Sequence, residues 1–388
     1  MRVPLVSLTL IALVAAAPDA DAQTRATVIP SVSIGGVYDD NVSATARGDE
    51  GRMLQMRPSL EADYESPTVT LISLWSFDMQ RSNHSSLNAL NARQHAMFDA
   101  KLRSSTMTTW GVGGRYDRTD TPGEIDFESG VLSDRQYAQR WQVTPSMLRR
   151  IGQRGNFAAI YDFTTENLVG EGQQTLHVGR TALSRQLSSR ASLSGEYIGR
   201  LFDDDFADHH SHAVVMGWTR ELRQFTRFTV LAGPKWTSYR GLVPEVSLSL
   251  GRDGRTVKTG IDYSHGETII LGVPGPVQVD SGSARLTVVA SRRVEFGVRA
   301  GASNILTLDE RAATIYRGTL LGSWTFAGPF TLTGSYSADY QLGDINRNLF
   351  RDERVLRHVV RVGLTIAPSF SRSFLPPDEA ARAKGVSR

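Results

Sequence analysis

The sequence predicts an all-β protein, a transmembrane antiparallel up-and-down β-barrel of about 18 strands, with 16 strands as the alternative. Three observations carry this prediction. Apolar and polar residues alternate with a period of two along most of the chain, and helical periodicity is nearly absent. Tight turns alternate with long polar connections, so every second connection belongs to the same rim of a meander. Trp and Tyr residues on the apolar faces often lie near predicted strand ends, as in interfacial aromatic girdles.

Turn signals divide the chain into eighteen candidate strands. Their predicted ranges are 26–38, 53–64, 69–80, 93–103, 106–118, 136–149, 156–166, 175–187, 191–201, 212–222, 227–239, 244–251, 256–264, 284–291, 294–303, 314–326, 330–340 and 354–368. The third strand shows the pattern, because Leu71, Trp75 and Phe77 share one face and Ser76 and Asp78 the other. In the last strand, apolar residues from Leu356 to Ile366 oppose Arg357 and Arg361.

Prolines fit this pattern least well. Pro58, Pro145 and Pro234 fall inside predicted strands, where each removes one donor from the hydrogen-bond ladder. We expect a bulge or an early strand end at each of them.

The N-terminus predicts export from the cytoplasm. Residues 1–22 combine Arg2, an apolar run from Val3 to Ala17 and a small-residue cleavage site, so we expect a signal peptide cleaved between Ala22 and Gln23. The barrel is expected over residues 23–370 and a periplasmic tail over residues 371–388. Alternation also fits a soluble array of β-sandwiches. We favour the barrel, since lipid requires a sheet to close on itself, and place it in the outer membrane of a Gram-negative cell.

Composition and motifs indicate no covalent chemistry. The net charge is only +3 in 388 residues, which gives no reason to expect a nucleic-acid partner, and Cys is absent. The cluster from Asp203 to His212 contains metal-ligating residue types, but no spacing in it defines a geometry, so we expect a solvated loop tip and neither metal nor cofactor. His95 is predicted to face the lumen near Asp99, yet no G-x-S-x-G or H-E-x-x-H motif occurs. We therefore expect a protein that is not an enzyme.

The inward faces carry both signs of charge, as expected for a wet lumen in a barrel of this size. Basic residues concentrate in the last third of the chain, in a predicted pore-lining strip that consists of Arg285, Arg299, Arg317, Arg357 and Arg361. Glu295 and Asp339 are the acidic residues expected beside it. Arginine offers forked donors that suit carboxylate or sulfate groups, so the strip predicts an acidic cargo. The alternative is that these charges only pair across strands.

One long connection is unusually apolar. The segment "GETIILGVPGPVQVDSG", residues 266–282, contains five Ile or Val residues as well as Leu271 between two predicted strands. Because apolar side chains avoid water, we expect this loop to fold into or over the pore mouth. Packing against neighbouring loops is the alternative.

Two stretches resemble a known family. "SIGGVYDDNV", which includes Tyr38, Asp39, Asp40, Asn41 and Val42, and "MRPSLEADYESPTVTL", with Pro58 to Leu60, resemble the start of porin-2-like outer-membrane β-barrel proteins. "VRVGLTIAPSF" is similar to a barrel-closing strand. These proteins are encoded in exopolysaccharide and exosortase gene clusters. The resemblance implies passage of a polysaccharide cargo across the outer membrane, with a periplasmic polysaccharide-export protein as partner. A barrel in this membrane is also expected to contact outer-membrane lipid and the barrel assembly machinery.

From the residues and the resemblance together, the expected function is export of a hydrophilic polymer, an acidic exopolysaccharide, across the outer membrane. A general diffusion or small-solute porin is the alternative. An outer-membrane hydrolase is the third hypothesis, which a Ser, a His and a carboxylate at one height in the lumen would favour.

Overall fold

The structure is a computed structural model that describes residues 24–45, 48–84, 87–121, 131–132, 136–169, 172–204, 208–343, 345, 354–368 and 370–373, without the side chains of 90–92 and 370–373. The predicted signal peptide and most of the tail lie outside these residues. The strands are β1 (Arg25–Asp39), β2 (Gly51–Glu65), β3 (Val69–Ser82), β4 (Ala89–Arg103), β5 (Thr108–Thr119), β6 (Ala138–Ile151), β7 (Gly155–Leu168), β8 (Gly172–Ser188), β9 (Ala191–Asp204), β10 (Asp208–Arg223), β11 (Thr226–Thr237), β12 (Gly241–Asp253), β13 (Val257–Ile270), β14 (Val273–Ser291), β15 (Val294–Leu306), β16 (Ala312–Ala327), β17 (Phe330–Leu342), β18 (Arg354–Ile366) and β19 (Phe370–Ser373).

Eighteen antiparallel strands form a closed barrel, which confirms the predicted fold and its larger strand count. Each strand pairs with its neighbours in the sequence, and β1 pairs with β18 to close the sheet. The short β19 continues the line of β18, because Ile366 pairs with Val32 and Phe370 with Val28 in the same register. The paired region thus extends three residues past the expected boundary at residue 370. In the part of the chain that is described, no helix is long and apolar enough to cross a membrane.

The alternation of the sequence places the apolar side chains on the outside of the barrel. Ile34, Leu54, Trp75, Phe296 and Val362 are all exposed on this outer face. A wide belt of exposed apolar side chains would be unfavourable in water, whereas lipid accepts it. Aromatic side chains lie toward both ends of the belt, with Trp110 and Trp324 near the short turns and Trp141 and Trp236 near the long connections.

The three interior prolines interrupt pairing without ending a strand. At Pro58 the register of β2 with β3 breaks between Met56 and Ser59, while pairing with β1 continues. Pro145 interrupts pairing with β7 only, and Pro234 interrupts pairing with β10 only. At each proline the strand therefore gives up pairing with one neighbouring strand locally and stays paired with the other.

The YDDNV motif lies at the seam where the barrel closes. The Arg357 guanidinium on β18 donates to the Asp39 carboxylate, with Nη2–Oδ2 at 2.6 Å. Asp40 accepts a hydrogen bond from the His358 backbone, and Asn41 donates to the Leu356 carbonyl. These contacts fasten the first long connection to the last strand. The motif therefore contributes to barrel closure.

Candidate channel and its constriction

The β13–β14 hairpin leaves the barrel wall and crosses the lumen. Pairing of β13 with β12 stops at His265, and pairing of β14 with β15 begins only at Gln278. Between these points the two strands pair only with each other. The segment expected as a loop is thus a strand hairpin that turns at Leu271 and Gly272, where Gly272 adopts a φ of 76° that a glycine favours.

The tip of this hairpin contacts the far wall. Leu271 packs against Ala138 on β6 and Leu168 on β7. The Gln174 side chain on β8 donates to the Val273 carbonyl at 2.6 Å. Strands β6 to β8 and strands β13 and β14 lie far apart in the strand order of the barrel. The hairpin therefore spans the lumen, which agrees with the prediction that the apolar segment folds into or over the pore mouth.

One face of the hairpin is apolar and packs on the inner wall. Its cluster consists of Ile270, Val273 and Val277 of the hairpin, Ile305, Ala313 and Ile315 of β15 and β16, and Val131 and Ile345 of two long connections. All of these side chains are buried. Burial of an aliphatic side chain contributes about 1.5–3 kcal/mol, so this face holds the hairpin firmly inside the barrel.

The other face is polar and is held by charged groups. The Glu267 carboxylate accepts a hydrogen bond from the Tyr239 hydroxyl at 2.7 Å and lies 3.4 Å from the Lys235 ammonium. Lys235 is fully buried and also lies 3.1 Å from Glu245, which in turn pairs with Arg200 at 2.5 Å. Removing one partner from such a buried network leaves an uncompensated charge and is costly.

Residues of the β11–β12 connection complete this attachment. Arg240 donates to the Gln278 side chain at 2.5 Å and to the Thr307 carbonyl at 2.8 Å. Burial, followed by the hydrogen bond to the Glu267 carboxylate, raises the pKa of Tyr239 far above its ordinary value near 10. We refer to Lys235, Tyr239, Arg240 and Glu267 as the polar latch.

Two arginines of the predicted strip are neutralised by neighbours. Arg317 pairs with Asp339 at 2.5 Å. Arg357 pairs with Asp39 at the seam and is itself buried. Arg357 thus connects the two strands at the seam and presents no charge to an open lumen. Asp339, the acidic residue predicted beside the strip, forms its ion pair with Arg317.

The other three arginines have different surroundings. Arg285 and Arg299 are directly opposite in the register of β14 and β15, and both side chains are exposed. Neither forms an ion pair with a carboxylate among the described residues. Arg361 is half-buried on the inner face of β18. Glu295 is exposed on β15, four residues from Arg299 toward the short turns.

Lys258 extends the unpaired group. Its pairing partner on β14 is Thr287, two residues from Arg285, and its side chain is also exposed on the inner face. Arg285 itself lies over Gly260, where a Cβ would be 2.5 Å from the guanidinium Nε. We call Lys258, Arg285 and Arg299 the basic patch. Asp253 is directly opposite Lys258 in the register of β12 and β13, and Asp262 on β13 and Glu295 on β15 are further acidic residues on the strands of the patch.

Exposure differs between the two ends of the lumen. Inner side chains toward the long connections are buried, including Asp78, Glu166, Lys235, Ile305 and Gln341. Inner side chains toward the short turns are mostly half-buried, and those of the basic patch are exposed. The hairpin and the ion-pair network therefore fill the end of the barrel near the long connections, and a solvent-exposed chamber lies below them.

The row expected for a hydrolase is only partly formed. Ser76, His95 and Asp117 are consecutive partners in the register of β3, β4 and β5. His95 contacts Asp117 at 2.6 Å, in place of the expected Asp99, but Arg115 occupies the same carboxylate and Ser76 makes no hydrogen bond to His95. Among the described residues, no group of His, Asp and Glu side chains is arranged to hold a metal ion.

Sequence reasoning missed the polar latch as a unit. Alternation places Lys235 and Glu245 on the inner face, but Glu267 fell within the expected loop. One signal was available, because Glu267 is the single charged residue between His265 and Asp280 in an otherwise apolar or small-residue segment. A buried carboxylate in such a segment requires a cationic or hydroxyl partner.

The barrel is similar to outer-membrane porins of known structure. OccAB4 of Acinetobacter baumannii shares 9% sequence identity, with a TM-score of 0.50 over 90% of this chain and 99% of that chain. This likeness shows that the two proteins share the same barrel fold. OpdD of Pseudomonas aeruginosa shares 10% identity over 90% and 100% of the two chains, with a TM-score of 0.49. No protein-family model and no curated protein matches the sequence.

Proposed function

We propose that this protein is an outer-membrane channel for small hydrophilic solutes and that its basic patch favours anions. The observation that carries the proposal is the combination of a hairpin across one end of the lumen with an unpaired pair of arginines in the exposed chamber below. A closed barrel with an apolar exterior supports the outer-membrane location, as does its likeness to an outer-membrane porin. The arrangement calls for no covalent chemistry.

The basic patch supports a preference for negative charge. The Cα atoms of residues directly opposite in antiparallel strands are about 4.5–5.5 Å apart, so Arg285 and Arg299 repel each other across the ladder. Their repulsion does not stabilise the fold. A carboxylate or another small anion between the two guanidinium groups would relieve it and accept forked hydrogen bonds. Asp253, Asp262 and Glu295 moderate the local field without forming an ion pair with either arginine among the described residues.

Export of an exopolysaccharide is less well supported. A polymer passing through the lumen would have to displace a hairpin that is held by an apolar cluster and by the polar latch. A small solute requires only a gap beside the hairpin, so the general porin is the better hypothesis.

Ion selectivity of the purified protein in planar bilayers tests the proposal. Under a salt gradient, the wild type should show a reversal potential of the sign for anion preference. Replacement of Arg285 and Arg299 together by Glu should shift that potential toward cation preference. The matched Lys double variant keeps the charge and should stay close to wild type.

Two results would contradict the proposal. One is an unchanged reversal potential in a Glu double variant that inserts and conducts normally, since the patch would then have no influence on passing ions. The other is reduced polysaccharide secretion by cells that carry the Glu variant at normal barrel abundance, since the cargo would then be a polymer.

A further inference from the structure

A cleft on the outside of the barrel lies at the short-turn rim, away from the lumen. It is bordered by the β8–β9 turn, with Ser188, Ser189 and Arg190, and by the end of β10, with Trp218, Arg220 and Leu222. Its volume is about 290 Å³. Trp218 and Leu222 belong to the outward face of β10, as does the exposed Met216. The cleft therefore lies on the outer surface of the barrel, at the edge of the apolar belt.

The cationic groups of the cleft have no acidic partners of their own. Neither Arg190 nor Arg220 forms an ion pair with a carboxylate among the described residues. Glu221, the carboxylate of the cleft, lies 3.6 Å from Arg227. The Arg220 guanidinium lies over the Trp218 ring at 6.0 Å. The cleft thus combines two available guanidinium groups with an aromatic ring and serine hydroxyls.

The surrounding rim is strongly basic. Residues 149–155, 185–191 and 220–227, which cover three successive short turns, contain eight arginines and one carboxylate, Glu221. Repulsion among these arginines does not help the turns to fold, and anions near them would be stabilised. Arginine side chains at the ends of transmembrane strands reach toward the lipid headgroups, and their apolar stems lie along the hydrocarbon boundary.

We propose that this cleft binds the headgroup of an anionic glycerophospholipid in the leaflet at the short-turn rim. The phosphodiester would accept forked hydrogen bonds from Arg190 and Arg220. The glycerol region would contact Ser188 and Ser189. Trp218 would lie at the interface, where indole rings are favoured, and the acyl chains would follow the apolar outer face beside Leu222. The site is independent of the solute that passes through the lumen.

The phosphate group could also be recognised without its lipid. The apolar wall of the cleft argues for the lipid, because a free phosphate gains nothing from Trp218 and Leu222. Short turns of outer-membrane barrels face the periplasm, so the leaflet concerned is the inner one, which in Gram-negative cells contains phospholipid.

Native mass spectrometry of the full-length mature protein tests the assignment. Phosphatidylglycerol and phosphatidylcholine of equal chain length are added in turn to the detergent-purified barrel. The wild type should retain phosphatidylglycerol in preference to phosphatidylcholine, and excess inorganic phosphate should not displace it. The double variant R190Q/R220Q should lose that preference, with the lipid-bound fraction falling several-fold.

The variant R252Q/R255Q is the matched control, since it removes one arginine at the end of β12 and one in the β12–β13 turn on the same rim, and it should retain the lipid. An equal loss in both variants would overturn the proposal, because rim charge alone would then bind the lipid. Equal retention of both lipids by the wild type, or displacement by inorganic phosphate, would overturn it as well. Heat-dependent gel mobility verifies that each variant is folded.

Discussion

The charged residues of the lumen include some that form buried ion pairs and others whose charge remains exposed. Arg357 and Asp39 are both buried, and they connect strands that are 318 positions apart in the sequence. Arg285 and Arg299 are exposed and adjacent, and no carboxylate pairs with either. The first pair connects the two strands at which the barrel closes, whereas the second leaves two positive charges exposed on the inner face.

The seam pair makes a prediction about stability. In Arg357→Met the Asp39 carboxylate stays buried without its cation, so the free energy of unfolding should fall by about 3–5 kcal/mol. Adding Asp39→Asn should recover part of this loss. Arg52→Ala removes an exposed pair with Glu50 at 3.9 Å, so it should change stability by less than about 1 kcal/mol. Urea unfolding of the detergent-bound barrel measures all three, and equal stability of R357M and wild type would refute the structural role.

Tyr239 makes a prediction about pH. Its pKa is raised while it donates to Glu267 in the latch, and a released hairpin would return it to an ordinary value near 10. The stabilisation that the neutral Tyr239 hydroxyl gives to the docked hairpin is therefore fully present below pH 10. It is lost as the pH rises toward the raised pKa, by up to about 1.4 kcal/mol per pH unit.

Channel recordings between pH 8 and pH 11 test this dependence. Conductance of the wild type should rise above pH 10 as the latch weakens. Tyr239→Phe lacks the titrating group, so its conductance should show a smaller alkaline rise. The same rise in both proteins would assign the effect to other groups.

At the scale of single residues, the sequence predicted which way a side chain points but not its partner. Alternation places Arg317, Arg357 and Asp339 on the inner face, where the structure has them. Partner choice depends on the register between strands and on side-chain conformation. For Arg357 the partner is at the opposite end of the chain, and no local pattern identifies it.

Strands were predictable as elements because one side of each contacts lipid and the other contacts a polar lumen. The β13–β14 hairpin breaks that rule, since it leaves the wall and both of its faces are covered by protein. The sequence consequently shows an apolar run with glycines, which resembles a loop. The hydrophobic effect still predicted that this segment would fold into or over the pore mouth or pack against neighbouring loops, because an apolar run is disfavoured in water. The structure shows it inside the barrel and also in contact with Val131 and Ile345 of two long connections.

The contact at the hairpin tip can be tested by cross-linking in this Cys-free chain. Cysteines at Leu168 and Leu271 replace two side chains of one packed cluster, so a short bismaleimide should link them rapidly in the folded barrel. Cysteines at Val37 and Leu271 form the control, because Val37 belongs to a different cluster on β1 and β2. Equal cross-linking of the two variants, or none in the first, would contradict a hairpin that reaches the far wall.

As a whole, the molecule is a closed barrel with two unlike ends. Near the long connections, the hairpin and buried charge pairs occupy the lumen. Near the short turns, the inner side chains are half-buried or exposed and include the basic patch, and the outer rim is rich in arginine. Under the proposed function, solutes would pass a constriction at one end and the basic patch at the other, so the hairpin would limit their size and the patch would favour anions.

The conductance of a barrel without the hairpin tests this account most directly. Residues 267–278 can be replaced by Asn-Gly, a two-residue turn that suits the paired ends Gly266 and Val279. Leu271→Asn places the same dipeptide at the tip of the intact hairpin and serves as the control. Single-channel conductance in planar bilayers should rise several-fold in the shortened protein and stay near the wild-type value in the control. An unchanged conductance in a shortened barrel that folds and inserts would contradict the claim that the hairpin sets the width of the channel.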